Sequence, residues 1–279
     1  MVHGKTIELF LVNGTADSLV TAELSNWNGK AIKIPRTEVP ECDREDLKDI
    51  GVYFLICQED DGTDSVYIGE AENIKNRLTQ HIQEYKKGNE KYYWNTAVVF
   101  VGHDLNKALI RYLENRFVLI AKECGRCSLL TKNTYKETVL KESLIAGMEE
   151  FIDNVKILMN TLGYNLLAPP PKAGNNTVYL YCSGKDYNAT GFVSSGGFTV
   201  VKGSKVRGKP VPSFEVRAKS YYNLRNMLIL DGVIADGVFT HDYEFKAPSA
   251  ASAVIMGRTA NGKIDWKTDK GVCLKDLKD

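Results

Sequence analysis

The sequence predicts a mixed α/β protein: a small sheet flanked by helices, followed by a separate α+β domain. Three observations carry this. In the first half, short apolar runs rich in β-formers, such as residues 51–57 and 94–101, are separated by stretches with helical apolar spacing. Around residue 170 the chain passes through Ala168-Pro-Pro-Pro-Lys-Ala-Gly, a stiff-then-flexible linker. Past that linker, short β-like runs and Gly-rich turns enclose a small-residue helix opened by Pro248 and closed by Gly257.

The segment from Gly51 to His81 organises the first half. Residues 51–57 (Gly-Val-Tyr-Phe-Leu-Ile-Cys) read as a buried strand, and 65–68 (Ser-Val-Tyr-Ile) as its return, with Asp61-Gly62 as a hairpin signal between them. Gly69 is read as the strand end and residues 72–87 as a helix. Ile74, Leu78, Ile82 and Tyr85 form its apolar stripe. Asn73, Arg77 and His81 are spaced by four and share a different face. Two strand tyrosines, an arginine and a histidine are thereby expected in one place.

Residues 105–123 read as a second helix with Leu109, Leu113, Phe117 and Ile120 as its core stripe. Glu114 lies beside that stripe, near Arg111 and Arg116, either of which could pair with it. A long amphipathic helix is expected over 138–162, ended by Gly163. Ahead of the central segment, residues 5–12 and 19–24 flank Asn13-Gly14 as a hairpin, with a third strand near 31–34. This added piece is expected to pack the sheet edge, holding substrate being the alternative. The expected division is therefore 1–47 extension, 48–167 central domain, 168–177 linker and 178–279 C-terminal domain.

The 279 residues carry a net charge of +1, but unevenly: residues 172–279 hold 16 Lys and Arg against 10 Asp and Glu. A basic C-terminal part suggests a phosphate-backbone surface. Lys205 and Arg207, in the loop Val206-Arg-Gly-Lys-Pro210, are the candidate contacts. No apolar run approaches the ~18 residues that span a bilayer, so no membrane partner is expected. The N-terminus shows no signal peptide, and a cytoplasmic location is the default expectation. Six scattered cysteines suit reduced thiols. Cys124-Gly-Arg-Cys127 lacks the second ligand pair that a structural zinc site needs.

The pieces Gly51-Val52-Tyr53 and Tyr67-Ile68-Gly69, followed by Arg77 and His81 on one helix and Glu114 on the next, resemble the GIY-YIG nuclease family over roughly residues 48–135. Val52 replaces the isoleucine of the first tripeptide. The resemblance implies an endonuclease that hydrolyses phosphodiesters in nucleic acid, DNA before RNA, with Glu114 binding Mg2+ or Mn2+. It implies Tyr53, Tyr67, Arg77, His81 and Glu114 as catalytic residues. Tyr53 is the expected base, with His81 either assisting or acting as base itself, and Tyr67 orienting water or phosphate. Asn133 is the candidate for the asparagine often found after the metal-binding glutamate. Asn73 and Lys75 are further candidate phosphate contacts. Stand-alone members often serve in restriction or phage defence.

Phe198-to-Ser204, Pro248-to-Gly262 and Trp266-Lys267 resemble the C-terminal domain of unknown function 4357. There the basic loop, the start of the Pro248 helix and an exposed Trp266 either contact nucleic acid or serve as turn and core residues. The alternative for the whole chain is a nucleic-acid-binding or interaction protein with an inactive nuclease domain.

Overall fold

The computed structural model describes residues 3–58, 64–90, 92–131 and 138–277. Its described residues divide into two compact units, one reaching to Ala168 and the other starting at Pro169.

In the first unit, strands β1 (Ile7–Leu11), β2 (Val20–Leu24), β3 (Gly29–Pro35), β4 (Gly51–Gln58), β5 (Asp64–Ala71), β6 (Thr96–Gly102) and β7 (Cys127–Leu129) form one sheet in the order β1-β2-β3-β6-β4-β5-β7. The pairings are antiparallel except for β5 with β7. The N-terminal strands are thus a direct continuation of the sheet, because β3 pairs with β6 from Gly29↔Gly102 to Pro35↔Thr96.

Strand alternation gives the sheet two buried faces. Val52, Phe54, Ile56, Val98 and Phe100 point to one, where α2 (Lys107–Cys124) and α3 (Glu142–Thr161) cover them. Tyr53, Leu55, Ala97 and Val99 point to the other, where α1 (Ile74–Lys86) packs through Ile74, Leu78 and Ile82. Helix α1 starts where the Asn73 side chain accepts from the Asn76 N–H at 2.9 Å. Helix α2 ends at Gly125, which adopts φ 60° as a left-handed cap.

Several details differ from the sequence reading. Strand β5 runs on to Ala71 and does not stop at Gly69. Helix α3 begins at Glu142 and not near 138; Phe151, Ile152, Val155, Leu158 and Met159 are its buried apolar residues. The Asp61-Gly62 turn lies outside the described residues. Cys124 and Cys127 are both buried, and neither is in a disulfide.

The second unit holds a four-stranded antiparallel sheet, β13-β10-β9-β8, from β8 (Leu180–Ser183), β9 (Asn188–Ser194), β10 (Gly197–Val200) and β13 (Tyr243–Phe245). A two-stranded ribbon joins β11 (Ile234–Ala235) to β12 (Val238–Phe239). Residues 214–230 form two helices, α4 (Phe214–Arg217) and α5 (Lys219–Leu230). Helix α6 (Pro248–Met256) is buried from Ala250 to Met256. Its start is closed over by α7 (Gly262–Asp265), whose first N–H donates to Ser249 Oγ at 3.0 Å.

Trp266 is fully buried, donates to the Pro248 carbonyl at 3.1 Å, and packs on Phe198 with ring centroids 4.4 Å apart. An exposed, base-stacking Trp266 is therefore wrong: the residue is core, and so is the helix whose start it anchors. No helix among the described residues is long and apolar enough to cross a membrane.

Candidate active site

Strand pairing brings the two tripeptides together. The register sets Tyr53 opposite Gly69 and Leu55 opposite Tyr67, so both tyrosines stand diagonally on one face. Their rings lie 6.3 Å apart, nearly parallel. Gly69 is needed because a Cβ there would come within 2.5 Å of the Tyr53 ring carbon Cζ. Gly51 is needed for a similar reason, since its Cβ would collide with the Phe100 carbonyl oxygen on β6.

From α1, Arg77 and His81 reach the same phenol. Arg77 Nε donates to the Tyr53 oxygen at 3.1 Å, and His81 Nε2 lies 2.9 Å from it. His81 is buried, edge-on to both tyrosine rings. Its Nδ1 lies 2.5 Å from Glu90 Oε1.

Glu114 comes from the other side of the sheet. Among the described residues β7 pairs with β5 over Asp64–Val66, the Thr131 hydroxyl bonds the Ile68 N–H and carbonyl, and α2 packs against β5. An open pocket of about 360 Å³ near the far end of β5 is lined by Tyr53, Tyr67, Glu70, Asn76, Arg77 and Lys107, with Glu114 in its wall. Glu114 is 5% exposed and its Oε2 has no hydrogen-bond partner among the described residues. Arg116 pairs with Glu149 instead, at 2.7 Å. A buried, unpartnered carboxylate oxygen at a pocket wall suits a divalent cation.

The electrostatics follow from burial. Burial pushes Glu114 up to about 7, and Glu70 beside it adds to the rise. Burial also lifts both tyrosines, against the pull of Arg77. His81 is held down at about 3, first by burial and then by Arg77 and Arg36. Burial opposes the Arg77 charge too, yet the two tyrosine oxygens keep its pKa raised.

Two carboxylates at this site escaped the sequence reading. Glu70, its side chain 3% exposed, accepts from Lys107 at 2.9 Å and faces Arg111 Nε at 3.9 Å. With the strand ended at Gly69, its alternation toward α2 went unused. Glu90 follows the end of α1, where no periodicity marks it.

The weaker candidates fare differently. Asn73 lines the pocket, but its side chain is engaged as the α1 cap. Lys75 is not a phosphate contact: its ammonium donates to the carbonyls of Val39, Pro40 and Cys42, clamping that loop. Asn133 lies outside the described residues. Lys205 is exposed, in the second unit. Arg207, also there, donates to the Met256 carbonyl at 3.4 Å and lies over the Tyr187 ring.

Residues 49–119 match the model of the GIY-YIG catalytic domain. The chain carries a GIY-YIG domain. Residues 180–278 match the Domain of unknown function (DUF4357). No curated protein and no solved structure matches the chain. The GIY-YIG domain is of nuclease type, which sets phosphodiester hydrolysis as its chemistry and nucleic acid as its substrate class. The matched stretch holds Tyr53, Tyr67, Arg77, His81 and Glu114 together.

Proposed function

We propose that this GIY-YIG protein is a divalent-metal-dependent endonuclease that hydrolyses phosphodiester bonds in DNA. The supporting observation is the shared pocket, where two phenols, a guanidinium and an unpartnered buried carboxylate oxygen meet.

Glu114 would hold one Mg2+ or Mn2+, which keeps most of its waters when few protein ligands are offered. Bound there, the cation would draw charge from the scissile phosphate and the leaving oxygen. Glu70 is a second carboxylate in the wall, but Lys107 already neutralises it.

Arg77 stays charged at every working pH and offers phosphate oxygens its guanidinium fork. Tyr67, half-buried at the pocket, orients the attacking water or the phosphate. Tyr53 takes the proton of the attacking water. As an isolated base it is poor, because burial disfavours its phenolate. It need not ionise first: it can accept the water proton while passing its own to His81 Nε2, 2.9 Å behind it. His81 does not line the pocket, so it acts through Tyr53. A phosphodiester paired with Arg77 would relieve part of the repulsion that holds the imidazole neutral.

The test is cleavage of supercoiled plasmid, linear duplex, single-stranded DNA and RNA with Mg2+, Mn2+ or EDTA. Metal-dependent internal cuts in DNA are expected. Cleavage that persists in EDTA, or no cutting of any nucleic acid, would contradict the proposal.

A further inference from the structure

The hydrogen-bonding capacity of His81 is spoken for on both sides. An ionised carboxylate only accepts, so Glu90 Oε1 at 2.5 Å requires a proton on His81 Nδ1. In a neutral imidazole, Nε2 is then an acceptor, and the Tyr53 hydroxyl at 2.9 Å must donate to it. The Tyr53 oxygen in turn accepts from Arg77 Nε at 3.1 Å. Each hydrogen bond fixes the direction of the next.

We propose that Glu90 is a positioning residue for catalysis: it holds His81 in the Nδ1–H tautomer, so that Nε2 can receive the Tyr53 proton. The proposal rests on the nuclease reading above. In the step it supports, a water O–H breaks and its proton joins the Tyr53 oxygen as the water oxygen bonds to phosphorus. The Tyr53 O–H breaks and an Nε2–H bond forms. The P–O bond to the leaving oxygen breaks, and that oxygen takes a proton from solvent. The imidazolium left on His81 faces the Glu90 carboxylate, and it returns its proton through Tyr53 after product leaves.

The Tyr92 hydroxyl lies 3.4 Å from the same Nδ1, and the Tyr92 ring stacks on Tyr67 with centroids 5.3 Å apart. Arg36 lies close enough to act on both Glu90 and His81 by charge. Its guanidinium sits 4.8–4.9 Å from the ring centroids of Tyr85, Tyr93 and Trp94. Arg36 follows β3, so the N-terminal strands that continue the sheet also supply a cation behind the relay. The charged and titratable groups facing His81 are therefore Tyr53 from β4, Tyr67 from β5, Arg77 from α1, Glu90 and Tyr92 from the loop after it, and Arg36.

The test uses the full chain with 15N-labelled histidine and reads ring-nitrogen NMR at pH 7. His81 signals are assigned among the four histidines by their loss in His81→Gln. The wild type is expected to show the Nδ1–H form, and Glu90→Gln a mixed or Nε2–H form. Under saturating DNA, Glu90→Gln is expected to lower kcat on the order of 100-fold with KM little changed, and Glu90→Asp to recover part of it. An Nε2–H form in the wild type would overturn the proposal. So would an altered tautomer with undiminished kcat, or lost activity with the tautomer unchanged. A wild type that cuts nothing counts against the nuclease reading, and the tautomer alone then decides whether Glu90 sets His81.

Discussion

The Tyr53 hydroxyl lies 2.9 Å from His81 Nε2, so the proposed base at the pocket and the histidine behind it share one proton path. Tyr53→Phe removes that path and leaves the His81 acceptor and the Arg77 Nε–H without this partner. Cleavage is expected to fall on the order of 100-fold or more, while binding of DNA to the variant is retained. A kcat within a few-fold of wild type would assign proton removal elsewhere.

Gly69 and Tyr53 face each other across the β4–β5 pair, and the ring occupies the space a Cβ would need. Gly69→Ala is expected to destabilise the fold by about 1–3 kcal/mol through overpacking, and to move the Tyr53 oxygen off His81 and Arg77. Denaturant unfolding and kcat check the two parts. An unchanged midpoint with full activity would show the ring yields freely.

Glu114 has a folded-state pKa of about 7 against an ordinary 4.5. The folded protein therefore binds more protons than the unfolded chain between these values, and this group makes stability fall as pH rises from about 4.5 to about 7. Glu114→Gln removes that slope. It is expected to melt higher than wild type at pH 8, by on the order of 2 kcal/mol, and to match it near pH 4.5. Mg2+ or Mn2+ is expected to raise the wild-type Tm at pH 8 and leave the variant unmoved. Destabilisation by Glu114→Gln at every pH would contradict the buried-carboxylate account.

Lys75 holds three loop carbonyls, so Lys75→Met is expected to cost about 1–2 kcal/mol of stability. KM for DNA and its salt dependence are expected to stay as they are. A shallower salt slope in the variant would restore the phosphate-contact role the structure rejects.

The candidate set was legible in the sequence because each member sits on a regular element. The β4–β5 pairing puts Tyr53 and Tyr67 on one face, and four-residue spacing puts Arg77 and His81 on one helix side. Strand order was less legible, since nothing local to residues 29–35 says that they pair with 96–102. Lys75 was misjudged, and Trp266 left open, for a related reason. A long cationic side chain and a lone indole read alike whether they meet solvent or a distant loop, and only tertiary packing decides. Glu90 was invisible because its role depends on where the chain after α1 turns back.

The central claim is that the pocket around Glu114 hydrolyses DNA, and the most direct measurement is plasmid nicking by wild type and Glu114→Ala side by side in Mg2+. Both proteins are first shown by thermal unfolding to be folded. The account predicts nicked and linear products from the wild type and intact supercoiled plasmid from Glu114→Ala. Equal cutting by the two would contradict it.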